Sequence, residues 1–228
     1  MKKAALTIIL LLAISMVRAQ DNQILFDLND DFETIDTLPQ PSRYVSKHMF
    51  GVKYSYEFCT VNSTPNIGQK RIMSPLNVEV AYTYRNPLWD YVNIFGMQLG
   101  LKYGSQGYAS PYDGWGEINT IAEGQMLAQV HLDAAAFRLL INIGPYYAYR
   151  LDTDKPGGFD EFDIRHDYGL FGGVGAGLAF GRFELQVEGG YKYSFCSMYH
   201  TYKYSDLYWI LAYPQNISVS VGLHFNLW

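Results

Sequence analysis

A histidine and an aspartate two positions apart, His131 and Asp133, come nearest in this chain to a hydrolytic or acyl-transfer site. In such sites a carboxylate orients a histidine, which then activates a serine hydroxyl. Residues at i and i+2 of a strand lie on one face, so the two side chains point the same way. They still need a third group, and no serine has a spacing that places it beside them. Among three hypotheses for the function of the protein, that of a lipid-modifying enzyme is therefore the least favoured.

Charged residues at alternate positions suggest a different chemistry, that of an interior with little water. Along the segments that contain them, charged or polar residues alternate with apolar residues. The charged residues are Lys53, Glu57, Glu79, Arg85, Lys102, Asp133, Arg138, Arg150, Glu184, Glu188 and Lys192. Six cations and five anions nearly balance, and buried charges must be paired. We expect an ion-pair network that plugs the interior; the alternative is a conducting path, which would make a small gated pore.

The alternation is clearest in residues 183–195, which read FELQVEGGYKYSF. One alternate set is apolar or aromatic and the other is polar or glycine, which is typical of a strand with two unlike faces. Strands of soluble proteins are usually shorter. A membrane-spanning strand needs about 9–11 residues and turns its apolar set to lipid. The segment predicts a transmembrane β-strand.

Seven further segments alternate in the same way, so that the chain has eight predicted strands. The eight predicted strands are residues 50–59, 76–85, 95–104, 128–134, 138–150, 169–180, 183–195 and 217–227. Short turns are predicted at 86–90, 135–137 and 181–182, and long loops at 60–75, 105–124, 152–166 and 197–215. The charged set cannot form a hydrophobic core, so the apolar set must face lipid. The sequence predicts an all-β fold, an eight-stranded antiparallel up-and-down transmembrane β-barrel with short periplasmic turns and long extracellular loops.

The first residues predict export. Residues 1–19 combine a basic start, an apolar run and a small residue, Ala19, before the expected cleavage site, which together indicate a signal peptide. Residues 20–47 are acidic and contain Pro39 and Pro41, and we expect a solvated periplasmic tail, with a partner-binding arm as the alternative. Residues 48–228 form the predicted barrel.

Composition excludes several classes of function. The net charge of −5 argues against a nucleic-acid partner, which requires a basic surface. The two cysteines, Cys59 and Cys196, have no metal-binding or redox spacing, and no cofactor is expected. Whether they form a disulfide or stay free thiols is left open by the sequence. Aromatic residues concentrate in the predicted loops, where they are candidates for contacts with a sugar or a partner, or for an aromatic belt: Tyr112, Trp115, Tyr202, Tyr204 and Trp209.

Four segments resemble the PorT-type outer-membrane β-barrel family of the Bacteroidetes. They are 97–109 (MQLGLKYGSQGYA), 139–151 (LLINIGPYYAYRL), 167–180 (DYGLFGGVGAGLAF) and 219–228 (VSVGLHFNLW). The resemblance covers roughly residues 48–228 and lies in strand register, not in a catalytic signature. It implies an eight-stranded barrel of the cell outer membrane, in a family of which one branch serves protein secretion. Phe225 and Trp228 are similar to the C-terminal signal that barrel-insertion machinery recognises.

The leading hypothesis is a non-enzymatic outer-membrane barrel with a structural or partner-binding role, accessory to secretion or envelope assembly. Its expected partners are outer-membrane lipid, the barrel-insertion machinery and an envelope protein. We expect the barrel itself to be a monomer.

Overall fold

Eight antiparallel strands close into a barrel. The computed structural model describes residues 47–85, 94–111, 116–134, 136–203 and 209–227. The strands are β1 (Lys47–Thr64), β2 (Ile72–Arg85), β3 (Phe95–Ala109), β4 (Gly116–Ala134), β5 (Phe137–Thr153), β6 (His166–Phe180), β7 (Phe183–Ser194) and β8 (Leu211–Asn226). Each pairs with the next along the chain, and β1 pairs with β8 to complete the ring. This confirms the predicted fold class. The predicted signal peptide and residues 20–46 of the predicted tail lie outside the described residues.

The two ends of the barrel differ in their connections. The turn end carries the connections 86–94, 135–136 and 181–182, together with the start of β1 and the end of β8. The loop end carries 65–71, 110–115, 154–165 and 195–210. Within the described residues, no helix is long and apolar enough to span a membrane.

Side chains alternate between the two faces of every strand. In β5, Arg138, Leu140 and Asn142 are buried inside the barrel, while Leu139 and Ile141 are exposed on its outside. The same period of two follows from strand geometry and runs around the whole ring. An eight-stranded ring leaves an interior just wide enough to be filled by side chains. The polar set therefore forms the core of this protein, and the apolar set forms its surface.

The strands are longer at the loop end than the sequence predicted. They contain between 12 and 19 residues, and the predicted loops 60–75 and 105–124 are mostly strand. In β4 the outward residues Ile118, Thr120, Ala122 and Gly124 are mostly small or polar, which hides the alternation. The contrast between short turns and long loops is also weaker than predicted, because 86–94 is longer than 65–71 or 110–115.

Gly144 marks a point where β4 and β5 approach too closely for any side chain. A Cβ atom at Gly144 would lie 2.0 Å from the carbonyl oxygen of Met126 on β4. Gly172, which pairs with Ile143 from the β6 side, has open space where its Cβ would be. The two glycines therefore sit side by side in the sheet under opposite steric constraints.

We expect Gly144→Ala to destabilise the barrel by about 1–3 kcal/mol, because the added methyl group must push β4 and β5 apart. Gly172→Ala is the matched control and should be neutral or slightly stabilising, since it only restricts the unfolded chain. Urea unfolding of the folded barrel in detergent micelles measures both. Equal midpoints for the two variants would contradict the steric assignment.

Candidate functional site

The lumen is the candidate site, because it gathers charged residues from seven of the eight strands, β1 to β7. Ten of the eleven predicted network residues are at most 8% exposed, and Asp133 at the turn end is more open. The charges do not form one continuous network. They separate along the barrel axis into groups that are joined by hydrogen bonds across the lumen.

The turn-end cluster consists of Arg85, Asp133, Arg138 and Glu184. Arg85 binds Glu184 through two N–H groups, with N···O distances of 2.9 and 3.1 Å. Arg138 donates to the same glutamate and to both oxygens of Asp133. Two cations and two anions thus neutralise each other, and the bidentate geometry is the strongest that arginine and carboxylate form.

The central pair consists of Lys53 and Glu188, whose charged atoms are 2.8 Å apart. Lys53 also donates to the side-chain oxygen of Gln98 at 2.8 Å, and Asn142 donates to Glu188 at 2.6 Å. Glu79 lies opposite Lys53 in the β1–β2 register and is buried beside this pair. It forms no ion pair with a lysine or arginine of the described residues.

The loop-side cluster consists of Glu57, Lys102, Glu123 and Lys192. Lys102 lies 2.6 Å from Glu57 and 3.2 Å from Glu123, and Lys192 lies 3.2 and 2.9 Å from the same two carboxylates. Each ammonium therefore contacts both glutamates. All four side chains are nearly inaccessible to solvent, and their formal charges sum to zero.

Arg150 does not join any of these groups. It is 1% exposed and donates one N–H to the backbone carbonyl of Ile164, in the connection 154–165. The nearby loop-end carboxylate of Asp167 accepts instead from Ser194 and, at 3.0 Å, from Gln106. Together with Glu123, which was not among the predicted residues, the predicted network thus separates into two neutral clusters, a pair, and the isolated residues Glu79 and Arg150.

His131 and Asp133 are not arranged as a catalytic pair. His131 is fully buried, and neither ring nitrogen has a hydrogen-bond partner among the described residues. Asp133 is bound by Arg138. His224 on β8 is buried in the same way, without a partner for either ring nitrogen in the described part of the chain. His131 and His224 are therefore not oriented as bases for acyl transfer.

The glycine-rich inner face of β6 does not leave an open channel. The ring of Phe171, from the same strand, fills that side of the lumen, and a Cβ at Gly190 would lie 2.4 Å from it. Phe171 packs in an apolar cluster with Ile121, Leu127, Tyr146 and Ala148 inside the barrel. This cluster was missed from the sequence, because its members are scattered over three strands among polar neighbours.

The loop end is closed by a cap, defined as residues 154–165 and 195–203. Met198 and Tyr199 of the cap are buried against the inward-facing side chains of Val61, Tyr108 and Ala212. Backbone hydrogen bonds join Ile164 to Met198 and Met198 to Ala212. The cap thus lies over the mouth of the lumen and packs its own small apolar core there.

Ion pairs join the two segments of the cap to each other. Asp163 accepts from Lys155 at 3.2 Å and from Lys203. Lys155 also binds Glu117 on β4 at 2.9 Å, and Lys203 binds Asp160 at 2.9 Å. Both ammonium groups lie over the ring of Tyr199, 5.3 and 4.5 Å from its centre.

Three buried carboxylates of the site were missed from the sequence: Glu117, Glu123 and Asp167. Glu117 and Glu123 occupy the inward register of β4, which continues back from Gln129 in steps of two. Asp167 is one inward step before Gly169. Extending the period of two through the predicted loops would have identified all three.

The remaining predicted residues lie on the surface or outside the described residues. Tyr202 and Trp209 are 48% and 64% exposed at the loop end, and their rings meet edge to face at 6.1 Å. Phe225 faces outward and contacts Phe183, with ring centres 5.3 Å apart. Tyr112, Trp115, Tyr204 and Trp228 lie outside the described residues. Both Cys59 and Cys196 are free thiols.

Comparison with known proteins gives only distant structural likeness. No family model matches the chain, and no curated protein matches it. Among solved structures, the outer membrane protein OprG from Pseudomonas aeruginosa is 9% identical, with a TM-score of 0.49 over 79% of this chain and 96% of that one. Neisserial surface protein A is 12% identical, with a TM-score of 0.48 over 77% and 96%. AlkL is 11% identical, with a TM-score of 0.46 over 88% and 97%. At these values the likeness supports no conclusion about function.

The cap should weaken in acid, because Asp163 holds it through its charge. Burial alone would raise the pKa of Asp163, but the hydrogen bond and charge of Lys203, together with Lys155, outweigh burial and lower it. A lowered pKa means that the carboxylate stabilises the fold above its ordinary pKa of 3.8, and that this contribution is lost as the pH falls through the lowered value.

We expect Asp163→Asn to destabilise the barrel at pH 7 by about 1–2 kcal/mol and to reduce the loss of stability between pH 5 and about pH 2. Urea midpoints across that range measure both effects. Glu161→Gln, at an exposed position of the same segment, is the control for the change in charge. An unchanged pH profile for Asp163→Asn would show that Asp163 does not hold the cap.

Proposed function

We propose that this protein is a non-enzymatic outer-membrane β-barrel with a closed lumen, and that it presents a rigid scaffold to a partner in the cell envelope. The observation that carries the proposal is that the inner face of the barrel is charged and its outer face is apolar. Charged side chains are buried and paired inside the ring, while large apolar side chains cover its outside. Lipid is the solvent that suits such a surface.

The extent of the outer apolar surface supports a lipid environment. Leu101, Phe137 and Val174 are 73%, 65% and 64% exposed, and similar residues continue around all eight strands. Contiguous apolar patches on soluble monomers rarely exceed a few hundred Å². A closed ring with an apolar belt also leaves no unpaired strand edge, which is the condition for crossing a bilayer with strands.

The distribution of aromatic residues on the belt supports the same placement. At the turn end, Phe180, Phe183 and Phe225 form a row of adjacent rings at centre distances of 6.0 and 5.3 Å. Towards the loop end, tyrosines such as Tyr147 and Tyr191 face outward. Aliphatic residues occupy the zone between them. Two aromatic girdles around an aliphatic band are typical of outer-membrane barrels.

The blocked lumen favours a scaffold over a pore. The turn-end cluster, the central pair and the loop-side cluster each join strands on different sides of the ring, and the cap covers the mouth. A steady path for ions would require several of these groups to move apart. Membership of the PorT-type family, and a role in secretion or envelope assembly, fit this closed design and remain part of the proposal.

The loop end is the surface that we propose for the partner. Tyr202, within the cap, and Trp209 form an exposed aromatic pair there. Tyrosine and tryptophan are enriched among residues that dominate binding energy. We expect the barrel-insertion machinery, by contrast, to act on the other end, where Phe225 and the end of the last strand lie.

We expect Leu101→Arg to destabilise the barrel in lipid vesicles by about 2–4 kcal/mol, because it places a charge near the middle of the apolar belt. Ile118→Arg is the matched control, since Ile118 is outward but lies six residues further along the sheet, about 14 Å nearer the loop end. It should cost about 0–1 kcal/mol. Urea unfolding in vesicles measures both, and equal costs would argue against a lipid-facing belt.

Partner binding is tested by photocrosslinking in intact cells from a photoreactive residue at position 209. We expect one discrete crosslinked product, since the aromatic pair is exposed at the loop end. The same residue at position 172, on the apolar belt, is the control and should give only diffuse lipid adducts. No product at position 209, together with steady single-channel conductance of the folded protein, would favour the small-pore alternative.

A further inference from the structure

A small cavity lies in the middle of the lumen, between the central pair and the loop-side cluster. Its volume is about 20 Å³, which is room for a single water-sized particle. The uncharged part of its lining includes the hydroxyl groups of Ser55, Ser218 and Ser220 and the amide of Gln125. Leu127 and Phe171 complete the lining, so the cavity has both polar and apolar walls, and it is partly open.

The charged residues that line this cavity do not balance. Three lysines and four glutamates line it, so that their formal charges sum to −1. Glu57 and Glu123 share Lys102 and Lys192, and Glu188 is bound by Lys53. Glu79 is the carboxylate that remains, because none of the described lysines or arginines pairs with it.

The side chain of Glu79 has an unused ligand atom at this place. It is 8% exposed, and its Oε1 atom has no hydrogen-bond partner among the described residues. This oxygen lies over the inner face of Gly100, where an added Cβ would be 2.5 Å from it and 2.8 Å from Nε2 of Gln125. The glycine thus leaves the space that the carboxylate occupies beside the cavity.

We propose that the cavity binds one monovalent alkali cation, with Glu79 as its charged ligand. Lys53 and Lys102 flank Glu79 in the register of the sheet, but both ammonium groups bind other glutamates and neither forms an ion pair with Glu79. A buried carboxylate without an ion pair is unfavourable, and a bound cation reduces that cost. The ligands available are carboxylate, hydroxyl and amide oxygens, which suit hard cations. A divalent ion would need a second free carboxylate, and the other three are held by lysines. The size of the cavity admits one ion without its hydration shell.

The test is the thermal stability of the full-length folded barrel in detergent at pH 7. Midpoints are compared in NaCl or KCl and in N-methyl-D-glucamine chloride at equal ionic strength. For the wild type we expect a saturable rise of about 2–4 °C when the alkali concentration is about five times Kd. Equilibrium dialysis with ²²Na⁺ should find a single saturable site per chain.

Two variants should lose this response, and two controls should keep it. Glu79→Gln removes the charged ligand, and Gly100→Ala displaces the carboxylate without changing any charge. Glu161→Gln makes the same change in charge at an exposed loop position, and Gly172→Ala adds a methyl group where nothing lies within 4 Å. If the wild type responds equally to all three salts, or if Glu79→Gln retains the sodium response, the proposal is overturned. A wild type indifferent to alkali ions, with Glu79→Gln equally stable, would indicate that a proton neutralises Glu79 instead.

Discussion

A charge inside an eight-stranded barrel has to be neutralised by a side chain from another strand, because the lumen is filled and holds little water. Glu184 on β7 meets this condition by binding Arg85 on β2 and Arg138 on β5. Lys192, also on β7, reaches Glu57 on β1 and Glu123 on β4. These bonds join strands that are not neighbours in the sheet. They therefore brace the ring across its width, where backbone hydrogen bonds cannot act.

The same condition explains why the interior is organised in separate groups. The turn-end and loop-side clusters each contain two cations and two anions, so each is neutral without the other. Between them, Glu79 is the exception that gives the central cavity its negative charge. A buried carboxylate without an ion pair is costly, and such costs persist in proteins chiefly where a ligand or a function depends on them.

The fold was predictable from the sequence because a period of two is a local property. Each strand carries its own alternation, as in 183–195, and eight such segments were enough to infer a closed ring. The strand ends were harder to predict, since in β4 the outward residues at the loop end are small or polar and resemble a loop. Most of the buried charged residues were predictable, although Glu117, Glu123 and Asp167 were not, and their pairing partners were not predictable. Whether Lys102 meets Glu57 or Glu79 depends on the stagger of the strands around the ring, which is not a local property.

The cap was not predictable at all, for a related physical reason. Met198 and Tyr199 belong to no alternating segment, and their burial depends on contacts with three distant strands and with Ile67. A tyrosine-rich connection without a period has the same composition whether it is solvated or folded inwards. The placement of Asp163 between Lys155 and Lys203 distinguishes a connection folded inwards from a solvated one. The closed ring brings these three residues together.

The pairing of the first strand with the last has a consequence for biogenesis. Met49 lies opposite Asn226, and the register continues to Thr64 opposite Leu211, so the seam joins the beginning of the sheet to its end in the chain. During synthesis the outer edge of β1 has no partner until β8 has been made. In hydrocarbon, each unpaired backbone group costs several kcal/mol, roughly the strength of a hydrogen bond in an apolar medium. A barrel of this topology cannot enter a bilayer strand by strand as a helical protein can. Its chain has to be kept from aggregating in water until the seam can form.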